Sequence, residues 1–359
     1  METVKLGLLI KKTKVARCGE HSYPVLSITK QDGIIMQSEK FKKRIASADT
    51  SDYKIIPRGK LVQGIHIDEG NFGIQDIVDN GIVSPAYGVW DINDGLVIPK
   101  YLEMVLRSPK SIEFYRSKLT GIVNRRGHMS DADFLSMDIP LPDRDTQSKI
   151  LKTMKQTTSV LYSRQQQLAK LDELIKARFV EMFGDPYTNS KDYPLKKGES
   201  FFKLSNGKAV PESKRLNGGI PAYGGNGISW YTDESLFDAD TIVVGRVGFQ
   251  SGNVHLVKGP LWVTDNAMYM SSCDFSQYNL TFLIELMAHV DFTKFQDAGD
   301  LKKITQKPFM QFEYLCPPLS LQNQFAAFAA EVDKSKVEVQ KALDQTQLLF
   351  DSLMQQYFG

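Results

Sequence analysis

The sequence predicts an α+β protein built as a tandem repeat, in which two mixed α/β blocks are joined by two long helices that pair as an intramolecular coiled coil. Three observations predict it. "RFVEMFG" (Arg178–Gly184) and "LMQQYFG" (Leu353–Gly359) close two stretches of the chain in the same way, with an aromatic residue and a glycine. "IPLPDRDTQSKILKTM" from Ile139 and "CPPLSLQNQFAAFAAE" from Cys316 open those stretches in the same way. Between opening and close, apolar residues step by four and three.

The first block, residues 1–142, carries the strand-like runs "YPVLSIT" (Tyr23–Thr29) and "YKIIPRGKLV" (Tyr53–Val62), separated by Gly- and Asn-rich turns, and the helical segment "PKYLEMVLRS" (Pro99–Ser108). The first long helix follows over 143–184. Pro140 lies just before it, and Asp143 is a residue type that accepts a hydrogen bond from free amides at a helix start. Its stripe reads Ile150, Met154, Thr157, Leu161, Arg164, Leu168, Leu171, Ile175, Arg178 and Met182; Gly184 with Asp185-Pro186 stops it. The second block, 185–318, repeats the plan with "TIVVGRVG" (Thr241–Gly248), "NVHLV" (Asn253–Val257) and the helical "LTFLIELMAH" (Leu280–His289). The second long helix, 319–359, carries Val332, Lys336, Val339, Leu343, Thr346, Phe350, Leu353 and Tyr357 on its stripe.

Pairing the copies by their prolines and glutamines matches Pro140 with Pro317, Gln147 with Gln324 and Asp143 with Ser320, all 177 positions apart. At the closing glycines the offset is 175, which implies a two-residue deletion inside the second helix. Each helix is then ~38 residues, or ~57 Å at 1.5 Å per residue. A lone helix of that length would expose its stripe, so two with the same stripe predict mutual pairing. Burial of each in its own block, or homodimerisation, are the other ways to cover it. The polar entries Arg164, Arg178 and Lys336 leave the seam open to partner subunits.

The chain has 359 residues, 42% apolar and 24% charged, which suits two globular domains with sizeable cores. A net charge of +2 means that any nucleic-acid contact is local. Cys18, Cys273 and Cys316 are odd in number, scattered and without CxxC spacing, as expected of reduced thiols in a cytoplasmic protein. The opening "METVKLGLLIKKTK" lacks the layout of a signal peptide, and no apolar run approaches ~18 residues.

Catalytic patterns are missing. There is no GxxxxGK[ST] loop; "GRVGFQSG" (Gly245–Gly252) shares only its glycines. There is no Asn-Pro-Pro-Tyr run. The histidines His21, His66, His128, His255 and His289 lack metal-ligand spacing. "ESK" (Glu212–Lys214) has the letters of half a nuclease signature, but no acidic partner stands on a preceding strand, so a solvated loop is the better reading.

Binding patterns are present. Basic runs gather at Lys11, Lys12, Lys14 and Arg17; at Lys40, Lys42, Lys43 and Arg44; and at Lys203, Lys208, Lys214 and Arg215. Such runs grip phosphate backbones, although any one of them also serves as a plain solvated face. Just before each long helix stands a basic pair, Arg125-Arg126 and Lys302-Lys303, which we expect to contact a phosphate backbone. "GGIPAYGGNGISWYTDES" (Gly218–Ser235) combines glycines that admit close approach with stacking faces (Tyr223, Trp230, Tyr231) and an amide (Asn226). "NGIVSPAYGVW" (Asn80–Trp90) has similar character. For base edges the expected residues are Tyr223, Asn226, Arg246 and Gln250 in the second block, and Ser84 and Tyr87 in the first. Ordinary surface loops pinned by aromatics remain the other reading.

Taken together, "IPLPDRDTQSKI", "QLAKLDELIKARFVEMFGDP" (Gln167–Pro186), the degenerate copy "CPPLSLQNQ…LDQTQLLFDSLMQQYFG", "SDYKIIPRGKLV", "VSPAYGVW", "GGIPAYGGNGIS" and "TIVVGRVGFQSGNV" resemble the specificity subunits of type I DNA restriction-modification systems over the whole chain. The resemblance implies two target recognition domains related by a pseudo-twofold axis, each reading one half of a split double-stranded DNA sequence. It also implies that the two helices pair antiparallel as scaffold and ruler. The expected partners are two modification (methyltransferase) subunits, which carry S-adenosylmethionine, and restriction/translocase subunits, which use ATP and Mg. The chain itself would catalyse nothing and hold no cofactor or metal. The alternatives are a recognition subunit serving a fused nuclease-methyltransferase, a stand-alone nuclease or methyltransferase, or a coiled-coil adaptor that binds only protein. A ~57 Å rod corresponds to ~17 base pairs at 3.4 Å rise, which leaves an unread gap of about one helical turn between two short half-sites.

Overall fold

A computed structural model of the chain describes residues 2–30, 32–40, 49–119, 129–299 and 302–359. It is α+β and divides into two compact units: Met1–Arg164 with Ala342–Gly359, and Gln165–Lys341. Each unit therefore holds one globular head with a stretch of both long helices.

In the first unit, an antiparallel four-stranded sheet runs in the order Ile10–Lys12, Gly88–Ile92, Leu61–Gln63, Phe72–Ile74. Two strand pairs flank it, Leu26–Thr29 with Gly33–Met36 and Lys54–Pro57 with Asn80–Val83. Trp90, Phe72, Tyr101, Tyr115 and Phe134 are fully buried, and the long helices add Ile150, Met154, Met354 and Phe358 to the same core. Phe358 meets the ring of Tyr101 at 5.7 Å.

In the second unit, the antiparallel sheet runs Phe202–Asn206, Ala267–Cys273, Thr241–Gly245, Val254–Val257. A smaller sheet places Ile220–Gly224 between Gly227–Thr232 and the parallel Trp262–Val263. Its core centres on Phe179, Phe183, Phe282 and Phe325. Phe179 and Phe325, one from each long helix, meet edge to face at 5.6 Å. Further along, Arg178 lies over Phe328 and Lys336 pairs with Asp172 at 2.6 Å. Contacts that climb one helix as they descend the other are antiparallel. The polar entries of the stripe thus have partners across the helix pair within this unit.

The long helices are Arg144–Phe183 and Leu319–Phe358, 40 residues each and offset by 175 at both ends. This corrects the sequence reading in two respects. No deletion separates the helices, and the counterpart of Gln147 is Gln322, not Gln324. Gln147 and Gln322 are both fully buried. Gln147 accepts from the Ile98 amide and donates to the Pro142 carbonyl, both at 2.8 Å. Gln322 accepts from the Asn279 amide and donates to the Pro317 carbonyl, again both at 2.8 Å. Each glutamine clamps its helix start to the shorter helix of its own head. Asp143 caps the first helix by accepting from the Thr146 amide at 2.8 Å, but Ser320 lies inside the first turn of the second helix, where Pro318 takes the place of Asp143. The closing glycines also match. Gly184 donates to the Val180 carbonyl at 2.8 Å and Gly359 to that of Gln355 at 2.9 Å.

Of the expected seam, Ile175 and Met182 are buried, and Leu161, Leu168, Leu171, Val339, Leu343, Phe350, Leu353 and Tyr357 are half-buried. The fully buried anchors at the helix ends (Phe179, Phe183, Phe325 and Phe358) stand outside the stripe read from the sequence. There the heads widen the apolar face beyond a two-helix seam.

Candidate nucleic-acid interface

The second unit brings most of its sequence-predicted residues to one cluster of loops. Ile220–Gly224 and Gly227–Thr232 form a hairpin whose two-residue tip is Gly225-Asn226. A side chain at Gly225 would put its Cβ 3.2 Å from the Gly245 Cα, so the tip rests on the end of the central strand Thr241–Gly245 because glycine occupies it. That leaves Asn226 exposed at the apex.

From the same strand end departs the turn Arg246–Gly252. The Gly252 amide donates to the Gly245 carbonyl at 2.8 Å, and Gly245 donates to Asn253 at 2.9 Å, closing the turn at its base. The segment carrying Lys302 and Lys303 runs beside it. Gly248 donates to the Lys302 carbonyl at 2.8 Å, Ile304 to that of Arg246 at 3.0 Å, and Val247 bridges to Lys303. Arg246, Gln250, Lys302 and Lys303 are therefore held by backbone bonds around one turn, with the Asn226 tip against its base. Arg246 Nη1 reaches the Asp265 carbonyl at 3.3 Å, and the Asn253 amide group donates to Gln250 Oε1. Tyr223 differs. It sits at a register shift in its strand and packs on the small core of Val243, Val257, Leu261 and Val263, so its ring supports the hairpin from within.

Two features of this cluster lie outside the residues expected to read bases. Arg215 stacks over the Trp230 ring at 4.4 Å on the exposed face of the hairpin, while Lys214 of "ESK" pairs with Glu234 at 2.5 Å. Phe249, at the apex of the turn between Arg246 and Gln250, is 89% exposed.

In the first unit Ser84 and Tyr87 share a tight turn, with Tyr87 donating its amide to the Ser84 carbonyl at 3.0 Å. The Tyr87 ring packs against the core of Leu26, Ile34, Ile56 and Val83, and burial pushes its phenol above the usual tyrosine range. Lys54 donates to the Tyr87 carbonyl at 2.5 Å. Burial, and then repulsion from Lys12 and Arg17, hold the Lys54 ammonium below the usual lysine range. Arg17 in turn pairs with Asp52 at 2.5 Å. No sequence signal marks Lys54, because its neighbours are far away along the chain. Lys12 itself pairs with Asp131 and lies over Trp90 at 5.7 Å. Arg125 and Arg126 lie outside the described residues, as do Lys42, Lys43 and Arg44.

Among the described residues no cluster of three or more His, Cys, Asp or Glu side chains is placed to hold a metal ion, and no helix is long and apolar enough to cross a membrane.

No family model matches the chain. Two curated proteins are similar to part of it. A putative type I restriction enzyme specificity subunit of Haemophilus influenzae is 23% identical over 120 residues, 33% of this chain and 31% of that protein. The type I restriction enzyme EcoprrI specificity subunit of Escherichia coli is 23% identical over 113 residues, 32% of this chain and 28% of that protein. The chain thus aligns with about a third of the length of the curated relatives it matches. Solved structures match throughout. The type I restriction-modification S subunit from M. genitalium superposes with a TM-score of 0.61 at 14% identity, covering 100% of this chain and 96% of that one. A structure described as the basis of complex assembly and conformational transition of the type I R-M system also gives 0.61 at 14% identity, covering 99% and 97%. The resemblance read from the sequence is therefore met by both comparisons, and the chain has the fold of type I restriction-modification specificity subunits.

Proposed function

We propose that this chain is the sequence-reading subunit of a type I restriction-modification enzyme. Each unit reads one half of a bipartite double-stranded target. The second unit reads with Arg246, Gln250 and Asn226 at base edges and with Lys302 and Lys303 on phosphates. The first reads from the Ser84–Tyr87 turn beside Lys54, with Arg125 and Arg126 on the backbone. The long helices pair antiparallel as an intramolecular coiled coil and set the spacing of the half-sites. The chain is non-catalytic and cytoplasmic. Two methyltransferase subunits bring S-adenosylmethionine, and restriction/translocase subunits bring ATP and Mg.

The observation that carries this reading is the turn Arg246–Gly252. A guanidinium and an amide, the side chains that pair with guanine and adenine edges, are held on a backbone-pinned turn with two lysines alongside. The closed base of the turn favours it over a loose surface loop. The test is direct. The pure chain incubated with duplex DNA, Mg and S-adenosylmethionine should leave the DNA unmodified and uncut, and should bind it salt-dependently once modification subunits are added. Cleavage or methylation by the chain alone contradicts the reading. Removing one heptad from each long helix should shift the tolerated spacer and leave both half-sites unchanged.

A further inference from the structure

The Arg246–Gly252 turn presents one side chain that neither charge nor hydrogen bonding explains. Phe249 is 89% exposed, the highest exposure among the large apolar residues described. Its backbone is not free to fold the ring away. Gly248 adopts φ 91°, and its amide is tied to Lys302. Ser251 donates its amide to Gly248 at 3.0 Å and is itself fully buried, and the Gln296 amide group holds the Ser251 carbonyl at 2.6 Å. The backbone thus holds Phe249 at the apex, with Gln250 next to it and Arg246 three residues earlier on the same turn.

The Arg246 guanidinium can donate to guanine O6 and N7, and an amide such as that of Gln250 can accept from adenine N6 and donate to N7 in the major groove. Across that groove only one base-edge feature is apolar, the C5-methyl of thymine. We propose that Phe249 is a specificity-determining contact of the second unit, seating its ring against a thymine methyl in the half-site that this unit reads. The inference rests on the function proposed above. It adds a preference that the polar residues do not supply, because a hydrogen-bond reader of adenine N6 and N7 takes no account of the methyl on the paired base. Uracil in place of thymine removes that methyl and leaves the pairing intact.

The test uses the full chain with its modification subunits and a duplex whose sequence is taken from adenines methylated in cells carrying the chain. Each thymine of the second half-site is replaced in turn by deoxyuridine. The native chain should lose affinity about fourfold at one of them, equivalent to ~0.8 kcal/mol for one methyl-sized group. Phe249→Ala should bind the thymine duplex about fourfold more weakly and be indifferent to deoxyuridine there, whereas Phe249→Leu should keep part of the discrimination. Because the side chain is exposed, thermal unfolding of both variants should match that of the native chain. The inference is overturned if Phe249→Ala retains the native thymine-over-uracil ratio, if no deoxyuridine position affects the native chain, or if the second half-site holds no A·T pair. In each of these cases duplex binding by the native complex still stands, and with it the proposed function. A complex that binds no duplex overturns both.

Discussion

The two units are alike where their helices begin and unlike where their loops end. At the base, Gln147 and Gln322 make the same pair of bonds at the same distances, the strand pairs Thr3–Lys5/Asp138–Pro140 and Leu195–Lys197/Glu313–Leu315 recur, and both long helices end on the same glycine bond. At the loops the second unit carries Asn226, Phe249 and Gln250 on pinned turns, whereas the first half-buries Tyr87 against its own core and ties Lys54 to that turn. The difference teaches which parts of a duplicated chain packing fixes. A buried glutamine that satisfies two backbone groups is costly to replace, because losing it strands an amide and a carbonyl away from water. An exposed turn carries no such penalty and is free to diverge.

The largest effects should come from the shared base. Phe183→Ala in the second unit and Phe358→Ala in the first should each cost ~3–5 kcal/mol in the unfolding of its own unit, followed by denaturant titration. Equal losses support the equivalence of the two bases, and a loss in only one breaks it. Next, Gln147→Ala and Gln322→Ala should each cost ~2 kcal/mol, whereas Gln324→Ala, on an exposed position, should cost almost nothing. A large effect at Gln324 would restore the 177 offset.

The loops should respond in DNA binding rather than in stability. Arg246→Ala should weaken the cognate duplex by ~1.5 kcal/mol and relax one position of one half-site, measured by competition among duplexes altered one base at a time. Lys303→Ala should weaken all duplexes alike and lower the slope of log affinity against log salt by ~1. The smallest effect sharpens the contrast between the heads. Lys54 loses its proton more readily than an ordinary lysine, so its attraction for phosphate should be full at lower pH and fade on the alkaline side, below the usual lysine range. Lys54→Met should remove that part of the alkaline decline. An unchanged profile would take Lys54 out of the interface.

Much of this was legible in the sequence because it is periodic and local. The heptads and closing glycines disclosed both long helices within two residues of their bounds. The register of the repeat is ambiguous in the sequence because the second copy offers two glutamines, Gln322 and Gln324, and only burial distinguishes them. Side-chain direction at turns was not legible either. Tyr87 and Tyr223 have the letters of readers, and each is half-buried with part of its surface on a core, because a strand neighbour decides how much of a face is covered. Phe249 is illegible for the opposite reason: an apolar letter suggests a core, and only the folded turn leaves this side chain exposed.

The central claim is that separate units read separate half-sites. Single-molecule sequencing of methylated adenines, in cells carrying either the native chain or the Arg246→Ala, Gln250→Ala double variant, tests it most directly. The account predicts a bipartite sequence in which one half relaxes while the other half and the spacer stay as they were. A contiguous methylated sequence, or relaxation of both halves together, would contradict it.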